Sequence, residues 1–407
     1  MLILPIQDAR PGMKLAMTVT DPAHPEKELL TAGYPLDEKL LERLRDLGIT
    51  VLYVAYPDLS DMDRHLAPYL NPARQRIYEH IKNTMTGMQG RARPTVSFAD
   101  YYAATRSLVT SLFRQGKHPI YLEELLNGQG ADGVRHAAAV AHLAMVMGIR
   151  LEQYIVRQRR LPPDHAREVV NLGVAGMLHD IGKSQIPGWL QHHTCLNEPT
   201  SPAEAAAWQA HPSWSYDIIR NGVEASASAA VLHHHQHFDG SGFPKMSVRR
   251  GSVDERIEGL RIHVFGRILL AADLYERLTL DDAGRRRSTV QILHLMRTTY
   301  ANRVDPQIMR VLPSIIPPYP PGATLKMSDG TLAAVVEFHP REPYYPTVRR
   351  LNPEHWTLSG PPFNVLPGAG PSILSVCGAS TADAPPAAFY ADVNSALQEI
   401  EGDAARV

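Results

Sequence analysis

Apolar residues within positions 1–58 occur in short clusters separated by proline and glycine, a pattern typical of β-strands joined by turns. Leu29-Leu30 and the run at 51–54 are examples. Between them, leucines at helical spacing predict one amphipathic helix over residues 36–47. We therefore expect residues 1–70 to form a small α+β module.

The following part of the chain has apolar positions three and four residues apart, which is the spacing of α-helices that bury one face. Residues 71–128 are interpreted as a helical linker or regulatory segment. Helices are expected in it at 72–88, 98–114 and 119–127. Residues 129–311 should form a larger helical domain, and the segment 262–275, apolar on nearly all sides, should be its central buried helix.

The pattern of apolar and polar residues changes again at a group of prolines between residues 313 and 321. Two apolar runs, at 324–327 and 333–338, flank Asp329-Gly330 and predict a β-hairpin. Residues 312–377 are thus expected to be β-rich, and residues 378–407 to be a partly disordered tail. The expected fold class is mainly α: an all-helical domain with a small α+β module before it and a small β-rich segment after it.

Composition excludes several classes of protein. There are 41 basic and 42 acidic residues, and a formal net charge of -1 gives no strong attraction to nucleic-acid polymers or anionic lipid. Cys195 and Cys377 are the two cysteines, which argues against a disulfide framework or a cysteine zinc site. The apolar segments near 137–149 and 264–272 are too short and too interrupted to span a bilayer. The N-terminus lacks signal-peptide features, so we expect a cytoplasmic protein without membrane insertion.

The most specific chemical signal is a series of imidazoles and carboxylates in the helical region. It consists of His136, His179, Asp180, His211, His234, His235 and Asp273. These side chains are metal ligands, and one ion does not need so many. Asp273 lies in the apolar segment, where a carboxylate is costly to bury unless it is paired or bound to metal. Two adjacent divalent cations are what phosphoryl-transfer chemistry often uses.

His179 and Asp180 end a helical run expected over 166–181, which Gly182 closes. Adjacent side chains on a helix point about 100° apart, so this pair suits two neighbouring metals with Asp180 as the bridge. A single histidine in a protein is more often structural than a ligand. The ordered series, rather than any one member, carries the prediction of a metal centre.

The strings HDIGK at 179–183 and HHHQHFDGSGFP at 233–244, with His211-Pro212 between them, resemble the HD-GYP branch of the HD phosphohydrolase superfamily. The resemblance covers about residues 129–310. It implies an all-helical domain with two or three divalent metal ions, commonly iron or manganese, that hydrolyses cyclic di-GMP. It also implies that the seven residues above are the ligands, with Asp132 as a further candidate for a third metal.

The same resemblance implies substrate contacts. Lys183 falls on the lysine that contacts the scissile phosphate, which makes Asp180 and Lys183 the candidate catalytic residues. A glycine-rich turn can bring backbone N–H groups to a phosphate. The candidate substrate-binding residues of that turn are Asp239, Gly240, Gly242 and Phe243. The ring of Phe243 either stacks on a guanine or is simply buried.

Three positions depart from the family pattern. Gln236 stands where a glutamate is usual, Phe243 replaces the tyrosine of GYP, and Asp282 stands where an arginine is expected. The last change affects substrate binding rather than metal binding. Arg285, the first of three consecutive arginines, either supplies the missing charge in a shifted register or belongs to a solvated surface run.

The function expected from the sequence is a metal-dependent phosphodiesterase that hydrolyses cyclic di-GMP to pGpG, and further to GMP, in bacterial second-messenger signalling. Two alternatives stay open. One is a catalytically weak cyclic-dinucleotide receptor, and the other is a hydrolase of a different cyclic dinucleotide. The helices expected within residues 72–127 should carry either the signal or a homodimer contact, and signalling protein partners are expected.

Overall fold

The computed structural model describes residues 1–21, 27–56, 59, 70–88, 96–114, 133–245, 247–250, 253–366, 370–381 and 392–402. The N-terminal module consists of β1 (Leu2–Pro5), β2 (Val19–Thr20), β3 (Glu28–Leu30), α1 (Glu38–Asp46) and β4 (Val51–Val54). β1 and β4 pair antiparallel, with Leu2 opposite Val54. The side chain of Asp37 caps α1 by accepting a hydrogen bond from the backbone N–H of Leu40 at 2.8 Å. The α+β character expected for this module is confirmed.

The helical region follows in chain order. It consists of α2 (Leu70–Met88), α3 (Phe98–Arg114), α4 (Gly133–Arg150), α5 (Glu152–Arg159), α6 (Pro163–Ala166), α7 (Val170–Leu178), α8 (Pro202–Gln209), α9 (His211–Ile219), α10 (Ala225–His233), the hairpin of β5 (Ser247–Arg250) and β6 (Val253–Arg256), α11 (Val264–Arg277), α12 (Thr289–Arg297) and α13 (Pro306–Ile315). The helices expected at 72–88 and 98–114 are confirmed by α2 and α3. The helix expected at 119–127 lies outside the described residues.

The core of this region is built on α4, α7 and α11. Every residue of α11 from Val264 to Tyr275 is buried, which confirms the expected central helix. α4 and α7 approach each other as closely as glycine allows, because a Cβ on Gly176 would lie 2.5 Å from the Cα of Ala141. This tight packing places the end of α7 beside α4 and α11.

The continuous helix expected over 166–181 is wrong in detail. α6 ends at Ala166, α7 ends at Leu178, and a 3₁₀ helix covers Ile181–Gln185. Gly182 lies inside this 3₁₀ helix rather than closing an α-helix. Its N–H donates to Oγ of Ser215 at 2.8 Å, and a Cβ there would meet the carbonyl oxygen of His211 at 2.3 Å. Close packing against α9 therefore sets the end of α7.

The C-terminal part is an antiparallel sheet followed by one helix. Its elements are β7 (Thr324–Met327), β8 (Leu332–Glu337), β9 (Thr347–Leu351), β10 (Leu358–Asn364), β11 (Ile373–Val376), β12 (Ala379–Ser380) and α14 (Asp392–Gly402). The strand order is β10-β9-β8-β7-β11-β12. The hairpin expected around Asp329-Gly330 is confirmed by β7 and β8.

The residues interpreted as a tail contain regular structure. β12 extends the sheet to Ser380, and α14 packs on α13, where Arg310 and Glu399 form an ion pair at 2.8 Å. The intervening residues 382–391 lie outside the described part of the chain. Composition is a local property and does not show that α14 packs on α13. Ala396 and Ile400 of α14 are buried.

The two flanking pieces, predicted as separate units, contact each other. The N–H of Ile3 donates to the carbonyl of Gly322 at 2.7 Å, and Ile3 forms a parallel bridge with Ala323. Leu4 and Leu52 share one apolar cluster with Leu351. The predicted domain boundaries themselves stay predictions.

Among the described helices, no single one is long and apolar enough to cross a membrane. α4 and α5 meet that criterion only as a pair, and the chain bends by 84° between them.

Candidate metal centre

The structure brings the seven predicted ligand side chains into one buried cluster between five helical elements. His136 comes from the first turn of α4, and His179 and Asp180 directly follow α7. The others come from the first residue of α9, the residues just after α10, and the middle of α11. The cluster consists of His136, His179, Asp180, His211, His234, His235 and Asp273, none of which is more than 6 % exposed. Asp132, the further candidate, lies outside the described residues.

Asp180 lies between two groups of predicted ligands. The first group is His136 and His179, with Asp273 beside His136, and the second group is His211, His234 and His235. The Oδ2 atom of Asp180 faces the first group, at 3.5 Å from Nε2 of His179 and 3.7 Å from Nε2 of His136. Its Oδ1 atom faces the second group, at 3.3 Å from Nε2 of His211 and 3.8 Å from Nε2 of His234. Each group offers ligand atoms close enough together to hold one metal ion. The geometry is that of a carboxylate able to bridge two cations.

Backbone carbonyls fix the imidazole orientations. Nδ1 of His179, His211 and His234 lies 2.8, 2.7 and 2.6 Å from the carbonyl oxygen three residues earlier in the chain. A carbonyl can only accept, so each Nδ1 carries the proton and each Nε2 presents a lone pair to the cluster. This outer hydrogen bonding is typical of histidines that bind metal.

His136 is oriented by a carboxylate instead. Its Nδ1 donates to Oε2 of Glu276 at 2.6 Å, and its Nε2 lies 3.0 Å from Oδ1 of Asp273. Burial disfavours the charged imidazole, but Glu276 and Asp273 outweigh it and raise the pKa of His136. Glu276 therefore completes a carboxylate–histidine pair aimed at the first group.

The donor set fits divalent cations. Nε2 of His136 lies 3.2 Å from Nε2 of His179, and Nε2 of His211 lies 3.3 Å from that of His234. Lone pairs facing each other at these distances repel unless a proton or a cation lies between them. Oδ1 of Asp180 is buried and accepts no hydrogen bond among the described residues. Nitrogen and carboxylate ligands of this kind suit first-row divalent metals.

The protonation states of His179, His211 and His235 agree with metal binding. Burial lowers the pKa of His179 to about 3 and that of His211 to about 4, and it holds the pKa of His235 well below its usual value. These imidazoles are neutral at pH 7, the form that binds metal. Burial would raise the pKa of Asp180, but Lys183 and His179 hold it well below its usual value, so Asp180 is ionised.

Lys183, the predicted phosphate contact, lies at the rim of the cluster. Its Nζ is 2.8 Å from Oδ2 of Asp180 and 3.5 Å from the carbonyl oxygen of His193. Its side chain is 10 % exposed, so the ammonium group is nearly buried beside Asp180.

The glycine-rich turn packs behind the second group. The ring of Phe243 is 4.6 Å from that of His235 and 5.3 Å from that of Trp208, and Phe243 is 5 % exposed. Of the two alternatives for the ring of Phe243, stacking on a guanine or burial, the structure favours burial. Gly242 is required here, because a Cβ would lie 2.1 Å from the carbonyl oxygen of His235.

The rest of this turn is held by its own hydrogen bonds. Asp239 accepts from the N–H of Ser241 at 2.8 Å and from Nδ2 of Asn302 at 2.9 Å, and Gly240 has φ +73°. A substrate contact by Asp239, Gly240 or Gly242 stays a prediction.

The arginine run near residue 285 contacts its own turn. Nε of Arg285 is 2.8 Å from Oδ2 of Asp281, and the Arg285 side chain is 80 % exposed. Arg287 donates to the carbonyl oxygens of Leu278 and Leu280. Among the described residues, Arg285 forms no hydrogen bond or ion pair with the cluster of predicted ligands. Its position favours the surface alternative.

Sequence reasoning assigned no role to three further residues at the cluster. Glu276 and Arg277 lie three and four positions after Asp273, so helical spacing on α11 was the signal that could have found them. Nε of Arg277 is 3.6 Å from Oδ1 of Asp273. The buried thiol of Cys195 lies 3.6 Å from Oδ2 of Asp273, and no local pattern indicated that contact.

Comparison with known proteins agrees with this geometry. Residues 149–308 match the HD domain family. The chain is 28 % identical over 238 residues to the cyclic di-GMP phosphodiesterase PA4108 of Pseudomonas aeruginosa, a match that covers 57 % of this chain and 51 % of the relative. The chain thus spans about half the length of that curated relative. His136 precedes the matched domain, so its place in the cluster comes from the structure.

Proposed function

Because this chain contains an HD domain, and its resemblance to the HD-GYP family is supported by a curated relative, we propose that it is a metal-dependent cyclic di-GMP phosphodiesterase. Linear pGpG is the proposed first product and GMP a candidate further product. The relative carries the name of that activity, while the products follow from the family resemblance alone.

The observation that carries the proposal is the position of Asp180 between two groups of Nε2 atoms. We propose that His136, His179 and Asp273 hold one ion with Oδ2 of Asp180, and that His211, His234 and His235 hold a second with Oδ1. Iron or manganese suits these ligands, and Asp132 is the candidate ligand of a third ion. When bound, two such ions would supply Lewis acidity and activation of water for phosphodiester hydrolysis.

The protein's own contribution is positioning and charge. Lys183 places an ammonium group 2.8 Å from Asp180, where it would contact a non-bridging phosphate oxygen and offset the negative charge that develops there. The 2.6 Å bond from His136 to Glu276 and the carbonyl bonds of the other imidazoles keep the ligands oriented before substrate arrives.

A second candidate is favoured by one observation. Asp282 replaces the expected arginine, and Arg285 is 80 % exposed and paired with Asp281. A site without that guanidinium would bind cyclic di-GMP with slow turnover, as a receptor does, or would prefer a different cyclic dinucleotide.

The experiment that separates these candidates is a nucleotide panel on one preparation. Protein loaded with Mn²⁺ or with Fe²⁺ is incubated with cyclic di-GMP, other cyclic dinucleotides and pGpG, and the products are resolved by chromatography. Cleavage of cyclic di-GMP that is lost in His179→Ala and Asp180→Ala, but kept in His355→Ala, would support the phosphodiesterase. His355 is a suitable control because its side chain is 72 % exposed. Tight binding of cyclic di-GMP without turnover, or faster turnover of another cyclic dinucleotide, would overturn the proposal that the protein is a cyclic di-GMP phosphodiesterase.

A homodimer contact and signalling partners at residues 71–128 stay predictions, as does the signal itself. Light scattering of the full chain at several concentrations, with and without the metal, would test the dimer.

A further inference from the structure

We propose that Arg277 contacts the scissile phosphate together with Lys183, as a replacement for the arginine that is missing at position 282. The inference rests on the proposed function in one respect only: the ligand is taken to be a phosphodiester or its phosphate product.

The first observation is where the guanidinium lies. One terminal nitrogen of Arg277 is 3.6 Å from Oδ2 of Asp180, the same oxygen that Lys183 approaches to 2.8 Å. Nε of Arg277 is 3.6 Å from Oδ1 of Asp273. Two cationic side chains thus lie beside the carboxylates of Asp180 and Asp273. Their side chains are 18 % and 10 % exposed, so neither is fully enclosed by the protein.

The second observation is that, within the described part of the chain, the N–H groups of the Arg277 guanidinium form no hydrogen bond that a phosphate would have to break. Its two ion-pair distances are longer than a hydrogen bond, and it forms no hydrogen bond with the described residues. A guanidinium carries five N–H donors in a planar fork that matches two phosphate oxygens. Arg277 therefore attracts an anion without losing an existing hydrogen bond.

The charges of the cluster argue against a purely structural role. Three carboxylates, those of Asp180, Asp273 and Glu276, face the two cations Lys183 and Arg277. Once two divalent ions bind, the carboxylates are more than neutralised, and a further fixed cation would only repel the metals. A guanidinium at that place is favourable when an anion, such as a phosphodiester, binds against it.

The test measures phosphate binding separately from catalysis. Wild-type protein, Arg277→Met and Arg277→Lys are loaded with Mn²⁺, checked for equal metal content, and titrated with inorganic phosphate by calorimetry. We expect Arg277→Met to bind phosphate about 10- to 100-fold more weakly, the range for a charged hydrogen-bonding group. Arg277→Lys should lie between the two, because it keeps the charge and loses the fork. Arg220→Met is the matched control, since its side chain is 51 % exposed and pairs with Asp217 on α9.

Each outcome decides the matter. Equal phosphate affinity in wild type and both Arg277 variants would overturn the proposal. Arg285→Met is titrated in the same way, and a loss of affinity confined to that variant would also overturn it. Loss of bound Mn²⁺ in both Arg277 variants would also overturn it, because Arg277 would then order the ligands instead. If Arg277→Met does not fold, the affinity of Arg277→Lys decides by the same criterion.

Failure of the proposed function gives a different result. Bis(p-nitrophenyl) phosphate is assayed beside cyclic di-GMP, and a raised KM for that generic diester in Arg277→Lys would support the phosphate contact. If wild type cleaves the generic diester but leaves cyclic di-GMP intact, the substrate assignment is wrong while the role of Arg277 stands.

Discussion

The carboxylate of Glu276 lies 2.6 Å from Nδ1 of His136, although 140 positions separate the two residues in the chain. The bond joins α4 to α11 and turns the Nε2 atom of His136 toward Asp273 and His179. A predicted metal ligand near one end of the helical region is thus oriented by a residue near the other end.

Glu276→Gln should weaken metal binding, because the neutral amide is a poorer acceptor for the imidazole N–H. We expect the affinity for Mn²⁺ to fall about 10- to 100-fold, the usual effect of losing an outer partner of a ligand. Competition with a chelator of known affinity measures it. Glu354→Gln, at a side chain 82 % exposed, controls for the loss of one negative charge. An unchanged affinity in Glu276→Gln would contradict this role.

The number of bound ions should depend on which ligand is removed. Asp180→Ala deletes the carboxylate shared by both groups, so we expect it to retain less than one ion per chain. His211→Ala affects the second group alone, and we expect it to retain about one of two ions. Metal analysis after gel filtration distinguishes the two variants. The bridging interpretation is wrong if both lose the same number of ions.

Gly182→Ala should destabilise the protein and disturb the second group of ligands. The added Cβ would meet the carbonyl oxygen of His211 at 2.3 Å and the backbone nitrogen of Ser215 at 2.5 Å, and neither backbone can move freely. We expect a loss of about 1–3 kcal/mol in the free energy of unfolding, measured by urea denaturation. Gly188→Ala is the control, since nothing lies within 4 Å of its added Cβ. Equal stability of the two variants would contradict the close contact.

Gln236→Glu, which restores the residue usual in the family, should be destabilising in this chain. The side-chain amide of Gln236 donates to the carbonyl oxygen of Pro244, and the residue is 2 % exposed. An ionised carboxylate would face that carbonyl with no proton to donate. We expect a loss of about 1–3 kcal/mol at pH 7, measured by denaturation. A Gln236→Glu variant as stable as wild type would contradict the role of this hydrogen bond.

The metal-free protein should lose stability in mild acid. Burial lowers the pKa of both His233 and His263 to about 4. Their Nδ1 atoms accept hydrogen bonds from backbone N–H groups, those of His263 and Phe265 respectively. The unfolded chain takes up protons near pH 6.5 and the folded chain near 4. The stabilisation is therefore complete above about pH 6.5 and declines as the pH falls toward 4.

His263→Ser tests this directly, because serine can still cap α11 but does not titrate in this range. Urea denaturation at pH 7 and pH 4.5 should show a smaller acid-induced loss in the variant, by about 2 kcal/mol. Identical losses in variant and wild type would contradict the assignment.

The amino-acid sequence by itself determined the helices that carry the site and the residue types of the cluster. Periodicity is a local property, so α2, α3 and α11 could be predicted from spacing. The order of imidazoles and carboxylates along the chain singled out the seven side chains that the structure brings together, and their role as metal ligands stays a prediction. The position of Asp180 between two groups of side chains could be predicted, because helical geometry turns adjacent side chains in different directions. Which side chains each of its oxygens faces could not be predicted in this way.

Tertiary structure alone decided the rest. Glu276 joins His136, Arg277 reaches Asp180, and Phe243 is buried against His235 because distant helices pack at fixed distances, which no local pattern contains. The contact of the N-terminal module with the C-terminal sheet has the same origin. The strand β1 and the apolar side chains of the module are covered by residues of the C-terminal sheet, which are hundreds of positions away in the chain.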